Sequence, residues 1–126
     1  MELNHDCVRH LLLEIEANKR LGKPLTEHNF AHNYVFENYD FDTIMYALLK
    51  LKEAGYINVS LRWSEGEIYD WLINDITWAG HEFLDNIRDD KTWKYVKDVA
   101  KKTSSMSVSL MGKLAFKYLS EQFNLT

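Results

Sequence analysis

Histidines, cysteines and carboxylates that converge are where protein chemistry usually starts, and this chain offers three such sets. In EHNFAH, residues 27–32, His28 and His32 lie four apart with Glu27 before them. On a helix, two imidazoles at that spacing reach one zinc ion. A zinc hydrolase also needs a glutamate directly after the first histidine, and Asn29 stands there instead. His5, Cys7 and His10 form a second set, but positions i, i+2 and i+5 do not converge on one helix face. The third set is His81, Glu82, Asp85 and Arg88, whose spacing allows a ladder of contacts along one helix. No nucleophile, glycine-rich phosphate loop or carboxylate pair accompanies it. The sequence therefore predicts no catalytic residue, no metal ligand and no cofactor, hence a protein that is not an enzyme.

The elements that would position these residues follow from periodicity. Val8, Leu11, Leu12 and Ile15 share one face of a helix expected from about Asn4 to Arg20, with Asn4 as its cap and Gly22 and Pro24 ending it. Residues 25–39 are ambiguous: TEHNFAH suits a short turn of helix, and NYVFENY suits a short strand. A second helix, DFDTIMYALLKLKEAG, starts at the Asp40 cap, turns Phe41, Ile44, Met45, Leu48 and Leu51 inward, and stops at Gly55. Ile57, Val59, Leu61 and Trp63 then alternate with polar residues as a half-buried strand. SEGE turns the chain, and IYDWLINDI returns. Thr77 caps a helix carrying Phe83, Leu84 and Ile87, and Gly80 in its first turn lets helix and sheet backbones approach closely. Asp89 or Asp90 opens a segment with Trp93, Val96 and Ala100 inward. After TSSMS, a helix from Ser107 buries Met111, Leu114, Ala115, Tyr118 and Leu119. The expected fold class is α+β, a winged helix with additional C-terminal helices. Residues 1–126 form one domain, of which 104–126 are a helical extension.

Composition narrows the partners. Hydrophobic residues make up 46% and charged residues 27% of 126, as in ordinary globular proteins. The absence of a signal peptide or a long apolar run predicts a cytoplasmic protein with no membrane partner. The single cysteine, Cys7, excludes an internal disulfide and reads as a small buried hydrophobe. The net charge of −4 is unevenly spread. Residues 61–90 hold two basic side chains against eight acidic, and residues 91–126 hold seven against two.

In a winged-helix DNA binder the helix before the wing enters the major groove and basic wing residues touch phosphates. Here that helix is expected to expose Asp42, Thr43, Tyr46, Ala47, Lys50 and Glu53, a nearly neutral set. The wing, with Glu65, Glu67, Asp70 and Asp75, is acidic. The nucleic-acid candidates are Thr43, Tyr46, Lys50 and Arg62 for the groove, with Lys94, Lys97, Lys101 and Lys102 on the backbone. Lys91, Lys113 and Lys117 extend the basic set, which otherwise reads as the solvated face of two helices.

Tyr69, Trp71 and Ile73 alternate along the outer face of the second wing strand and form the candidate interaction surface. The expected cover is the C-terminal helices, through Trp93 or Tyr118, or else a second subunit. A homodimer is expected through residues 107–123, whose apolar residues span a wide arc from Val108 to Phe123.

Three stretches, VRHLLLEIE, YALLKLKEAGYI and TWAGHEFLDNIRDDKTWKYVK, resemble the uncharacterised, phage- and prophage-associated family known as domain of unknown function 2513. The likeness spans roughly residues 4–102 and is most specific from Thr77 to Trp93. It implies a winged helix and a mobile-element setting, and it brings no activity. Members usually carry histidine where this chain has Ala47. On the resemblance and the residues together, the expectation is a small phage-associated DNA-binding regulator. The alternative is a winged-helix interaction module acting on a host or defence protein.

Overall fold

The first helix begins where Asn4 accepts a hydrogen bond from the Cys7 backbone N–H at 2.9 Å, satisfying an amide that a helix start leaves without an internal partner. In the computed structural model, which describes residues 1–30, 34–103 and 107–123, helix α1 spans His5–Asn18. Cys7, Val8, Leu11, Leu12 and Ile15 are buried along it. Burial, and then the nearby Asp40, push the Cys7 thiol up to about 12, so it is an inert apolar filler at neutral pH.

Strand β1 (Leu25–Thr26) and helices α2 (Glu27–Phe30) and α3 (Tyr34–Asn38) follow. The short helical turn is where the sequence suggests it, but the strand is not. Residues 34–38, aromatic and β-branched, are helical, and the strand lies earlier. The helix seats Val35 in the core, and its N–H donates to Glu14 Oε1 at 3.2 Å. Packing of this kind overrides a strand preference, which is weak without a sheet position to fill.

Helix α4 (Phe41–Glu53) is capped by Asp40, which accepts from the Thr43 N–H at 2.7 Å. Gly55, at φ +77°, takes the chain out of it. Strands β2 (Ile57–Ser64) and β3 (Glu67–Ile76) then form a hairpin. Its two turn residues, Glu65 and Gly66, are both left-handed at φ 50° and 82°, a geometry that matches the twist of the flanking strands. The sheet is antiparallel, in the order β1-β3-β2.

Two irregularities decide which hairpin residues reach the core. Asn58 pairs with Asp75 and Val59 with Ile73, so β3 carries one extra residue, Asn74. Arg62 pairs with Asp70 and Trp63 with Ile68, so Tyr69 is a second extra residue. Each bulge reverses the alternation of faces. Ile76 and Ile73 are thereby both buried although they are three apart, and Tyr69 is separated from Trp71 and Ile73. The expected surface of Tyr69, Trp71 and Ile73 is therefore corrected. Trp71 and Ile73 are 2% and 0% exposed, and Tyr69 alone remains out, at 60%.

The cover of Trp71 is also different from the expected one. Phe36 stacks on its ring at 5.7 Å and Phe30 meets it edge-on at 6.0 Å. The aromatic residues of the ambiguous 25–39 segment thus close the sheet. With α1, α4 and the inward sheet residues they make the core of the first of two compact units, Met1–His81.

Thr77 ties the end of the sheet to the end of α4. Its N–H donates to the Tyr56 carbonyl at 3.0 Å, and its hydroxyl donates to the Gly55 carbonyl at 2.6 Å and accepts from the Gly80 N–H at 3.1 Å. Gly80 has no room for a side chain. A Cβ there would collide with the Tyr56 carbonyl oxygen and lie 2.7 Å from Ile76 Cγ2. Close approach of the two backbones, expected from the glycine, is what the structure has.

Helix α5 (Trp78–Ile87) runs into the second unit, Glu82–Thr126, which holds α6 (Asp90–Thr103) and α7 (Val108–Gln122). Asp89 accepts from the Thr92 N–H at 2.9 Å, and Ser107 accepts from the Leu110 N–H at 3.1 Å. Tyr95 and Tyr118 stack at 4.6 Å, joining α6 to α7. Among the described residues there are seven helices and three strands, an α+β fold, and no helix is long and apolar enough to cross a membrane.

Candidate interaction face

The candidate metal and acid–base residues do not assemble. His28 is exposed, and its proposed partner His32 lies outside the described residues. His5 is half-buried, which lowers its basicity, and His10 Nδ1 is instead 2.8 Å from the Tyr39 hydroxyl. Among the described residues, no group of three His, Cys, Asp or Glu side chains is placed to hold a metal ion. Of the third ladder, Asp85 and Arg88 pair at 3.0 Å, both exposed, and His81 is exposed as well.

Helix α4 presents part of its candidate set. Thr43, Tyr46 and Lys50 are half-exposed on one side, but Ala47 is fully buried. This corrects the expectation that Ala47 is exposed. The position at which the chain differs from the pattern it resembles is therefore a core position. Lys50 Nζ pairs with Glu53 Oε2 at 2.9 Å and sits 5.3 Å from the centre of the Tyr46 ring. The Glu53 contact holds its ammonium above the ordinary lysine range. Arg62, on β2, faces Asp70 across the ladder at 3.9 Å. Both candidate groove cations thus have a carboxylate beside them.

Lys94, Lys97 and Lys101 fall on one side of α6 at i, i+3 and i+7, with Lys102 next to them. Lys94, Lys101 and Lys102 are exposed and Lys97 is half-buried. These four belong to the second unit, whereas Thr43, Tyr46, Lys50 and Arg62 belong to the first.

The feature that the sequence reading missed lies between α4 and the hairpin tip. A groove of about 290 Å3 is lined by Met1, by Phe41, Asp42, Met45 and Leu49 from the helix, and by Trp63, Glu67 and Ile68 from the hairpin. Phe41 and Trp63 are 46% and 53% exposed, although periodicity placed both inward. Phe41 stands in the first turn of α4, beyond the sheet residues that would cover it. Trp63 lies past the second bulge, near the tip. The signal available in the sequence was the cluster of large apolar residues next to a glycine turn and three carboxylates. From residue 41 to 76 the chain carries three basic side chains against six acidic ones, and two of those carboxylates, Asp42 and Glu67, line the groove itself.

Comparison with known proteins gives kinship and no activity. The chain is 30% identical over 110 residues to an uncharacterized protein of Haemophilus influenzae, covering 87% of this chain and 86% of the relative. No solved structure matches it. The family described as "Hypothetical protein (DUF2513)" matches residues 2–107, nearly the whole first unit and most of the second, including both sides of the groove. The chain belongs to that family.

Proposed function

We propose that this is a non-enzymatic winged-helix interaction module of the cytoplasm, used in a phage or prophage setting, whose α4–hairpin face engages protein. The winged-helix part of this reading is supported by the order α1, β1, α2–α3, α4, β2, β3, in which α4 would be the helix before the wing. The observation that carries the reading is the chemistry of that face. Phe41 and Trp63 stand open beside Asp42 and Glu67, and Lys50 and Arg62 are each opposed by a carboxylate. Release of counterions from phosphate, which drives nucleic-acid binding, needs uncompensated cations. Aromatic residues ringed by acid suit a basic protein surface.

The second reading is a DNA-binding regulator, with Thr43, Tyr46, Lys50 and Arg62 in the groove. It is favoured by the exposed lysines of α6, which suit phosphates. A salt titration of gel retardation on mixed-sequence duplex separates the two. The expected result is no retarded species at about 50 mM salt, where phosphate contacts are strongest. Retardation there, weakened in Lys94→Ala/Lys101→Ala, would install the DNA reading in its place.

A homodimer through α7 is part of the same proposal. Phe116 and Phe123 are seven apart on one stripe and 62% and 67% exposed, which suits a self-complementary two-fold contact. Light scattering at micromolar concentration should give about twice the 14.9 kDa chain mass. Phe116→Ser should return it to a monomer.

A further inference from the structure

We propose that the groove between α4 and the hairpin tip takes a cationic segment of another protein carrying one large apolar anchor. The proposal rests on the protein-binding reading above and supplies the partner's chemistry. Size is the first constraint. At about 290 Å3 the groove lies just below the range of about 300–1,000 Å3 typical of small-molecule sites. It holds an anchoring side chain or two and no large cofactor. Its lining is the second constraint. Met45, Leu49 and Ile68 offer apolar contact, and the Phe41 and Trp63 rings offer open faces.

Charge selects among apolar occupants. Asp42 and Glu67 line the groove, Glu65 sits in the adjoining turn, and no lysine or arginine lines it. Met1, with the single α-amino group of the chain, is the one lining residue of opposite sign, so carboxylates still outnumber cations there. A phosphate backbone or an acidic peptide would be repelled. Lysine or arginine stems lie well along aromatic faces, with their charges directed to the carboxylates at the edge. Tryptophan, which is exposed here in the groove lining, is also a residue type on which binding energy concentrates.

The test uses the full chain, labelled with nitrogen-15, at about 150 mM salt, where charges farther apart than about 8 Å are screened. The probe is a synthetic peptide of about 12 residues, long enough to present an anchor with flanking charges, with lysines around one tryptophan–leucine pair. Three counterparts carry serine for the anchor, glutamine for the lysines, or glutamate for the lysines. The expected result is movement of the amides of residues 41–49 and 63–68 and of the Trp63 indole by the first peptide alone. Glu67→Lys and Trp63→Ala, both at exposed positions, should each weaken its binding about tenfold, as loss of a central contact does. Circular dichroism establishes that both variants are folded. Shifts centred elsewhere, equal binding of the glutamate peptide, or unchanged affinity in both variants would overturn the groove proposal. Adding mixed-sequence duplex to the same sample separates the two levels. If duplex moves the groove amides, the protein reading itself fails. If neither duplex nor peptide moves them, only the groove proposal does.

Discussion

The two ends of the β2–β3 hairpin are built from similar residues and have opposite fates. At the end joined to α4 and α5, Ile57, Val59, Ile73 and Ile76 are at most 5% exposed, and Thr77 stitches the backbone to Gly55 and Tyr56. At the tip, Trp63 and Tyr69 are more than half exposed, and Glu65 stands in the left-handed turn with Glu67 next to it. Hydrophobicity does not separate them, since a tryptophan stands in each region. Trp71 is covered because α2 and α3 bring Phe30 and Phe36 over it, whereas Trp63 lies beyond the second bulge. An apolar residue thus holds the fold at one end and is left exposed at the other.

The comparison is sharpened most by the buried tryptophan. Trp71→Ala should cost about 3–5 kcal/mol in urea unfolding, as removal of a fully packed aromatic does. Trp71→Phe should cost clearly less. It keeps a ring against Phe36 and deletes an indole N–H without a partner among the described residues, and a buried unpaired donor is itself a cost of about 1–3 kcal/mol. Equal losses in the two variants would show that the stacking is not what matters there.

Next in size is a contrast between two glycines. Gly80→Ala must displace the Tyr56 carbonyl, part of the backbone that Thr77 holds, and should cost about 3 kcal/mol. Among the described residues, a Cβ on Gly112 would meet only the Phe83 ring, at 2.9 Å. Phe83 is itself buried, so its ring must give within the core, but shifting a side chain costs less than shifting held backbone, and Gly112→Ala should cost about 1–2 kcal/mol. Thermal melts of the two variants in parallel check this, and a larger loss in Gly112→Ala would break the account of the Gly80 contact.

The pH dependence is smaller. Hydrogen bonds from Thr43 and Thr92 hold the Asp40 and Asp89 carboxyls below their ordinary value of 3.8. A carboxyl depressed in the folded state contributes stability above its unfolded pKa and loses it as pH falls through the folded value. Burial likewise lowers His5 below 6.5, so its contribution is present above 6.5 and declines on acidification. The melting midpoint should therefore dip shallowly below pH 6.5 and more steeply below 3.8. Asp40→Asn keeps a capping oxygen without the ionisation and should flatten the steeper part. An unchanged acid limb in that variant would remove Asp40 from the account.

The least effect on stability is expected at the tip. Trp63→Ala should shift the urea midpoint by no more than about 0.5 kcal/mol equivalent, the usual range for a surface position, while weakening binding of the cationic peptide. A loss approaching that of Trp71→Ala would erase the distinction between the two ends of the hairpin.

The sequence by itself determined whatever depends on neighbours along the chain. Asn4, Asp40, Thr77, Asp89 and Ser107 cap helices because a short polar side chain reaches amides two or three residues ahead. The β2–β3 hairpin follows from alternation on either side of a glycine turn, and the family from three contiguous stretches. Tertiary structure decided the rest. Residues 34–38 became helix, against their strand preference, because Val35 and Phe36 had a core and a tryptophan to meet. The bulges at Tyr69 and Asn74 come from pairing two strands, so the faces counted on one strand alone were misread. Ala47 proved interior and Phe41 and Trp63 exterior for a related reason. Periodicity tells which residues share a side, but only the extent of the packed neighbour tells how far along that side the cover reaches.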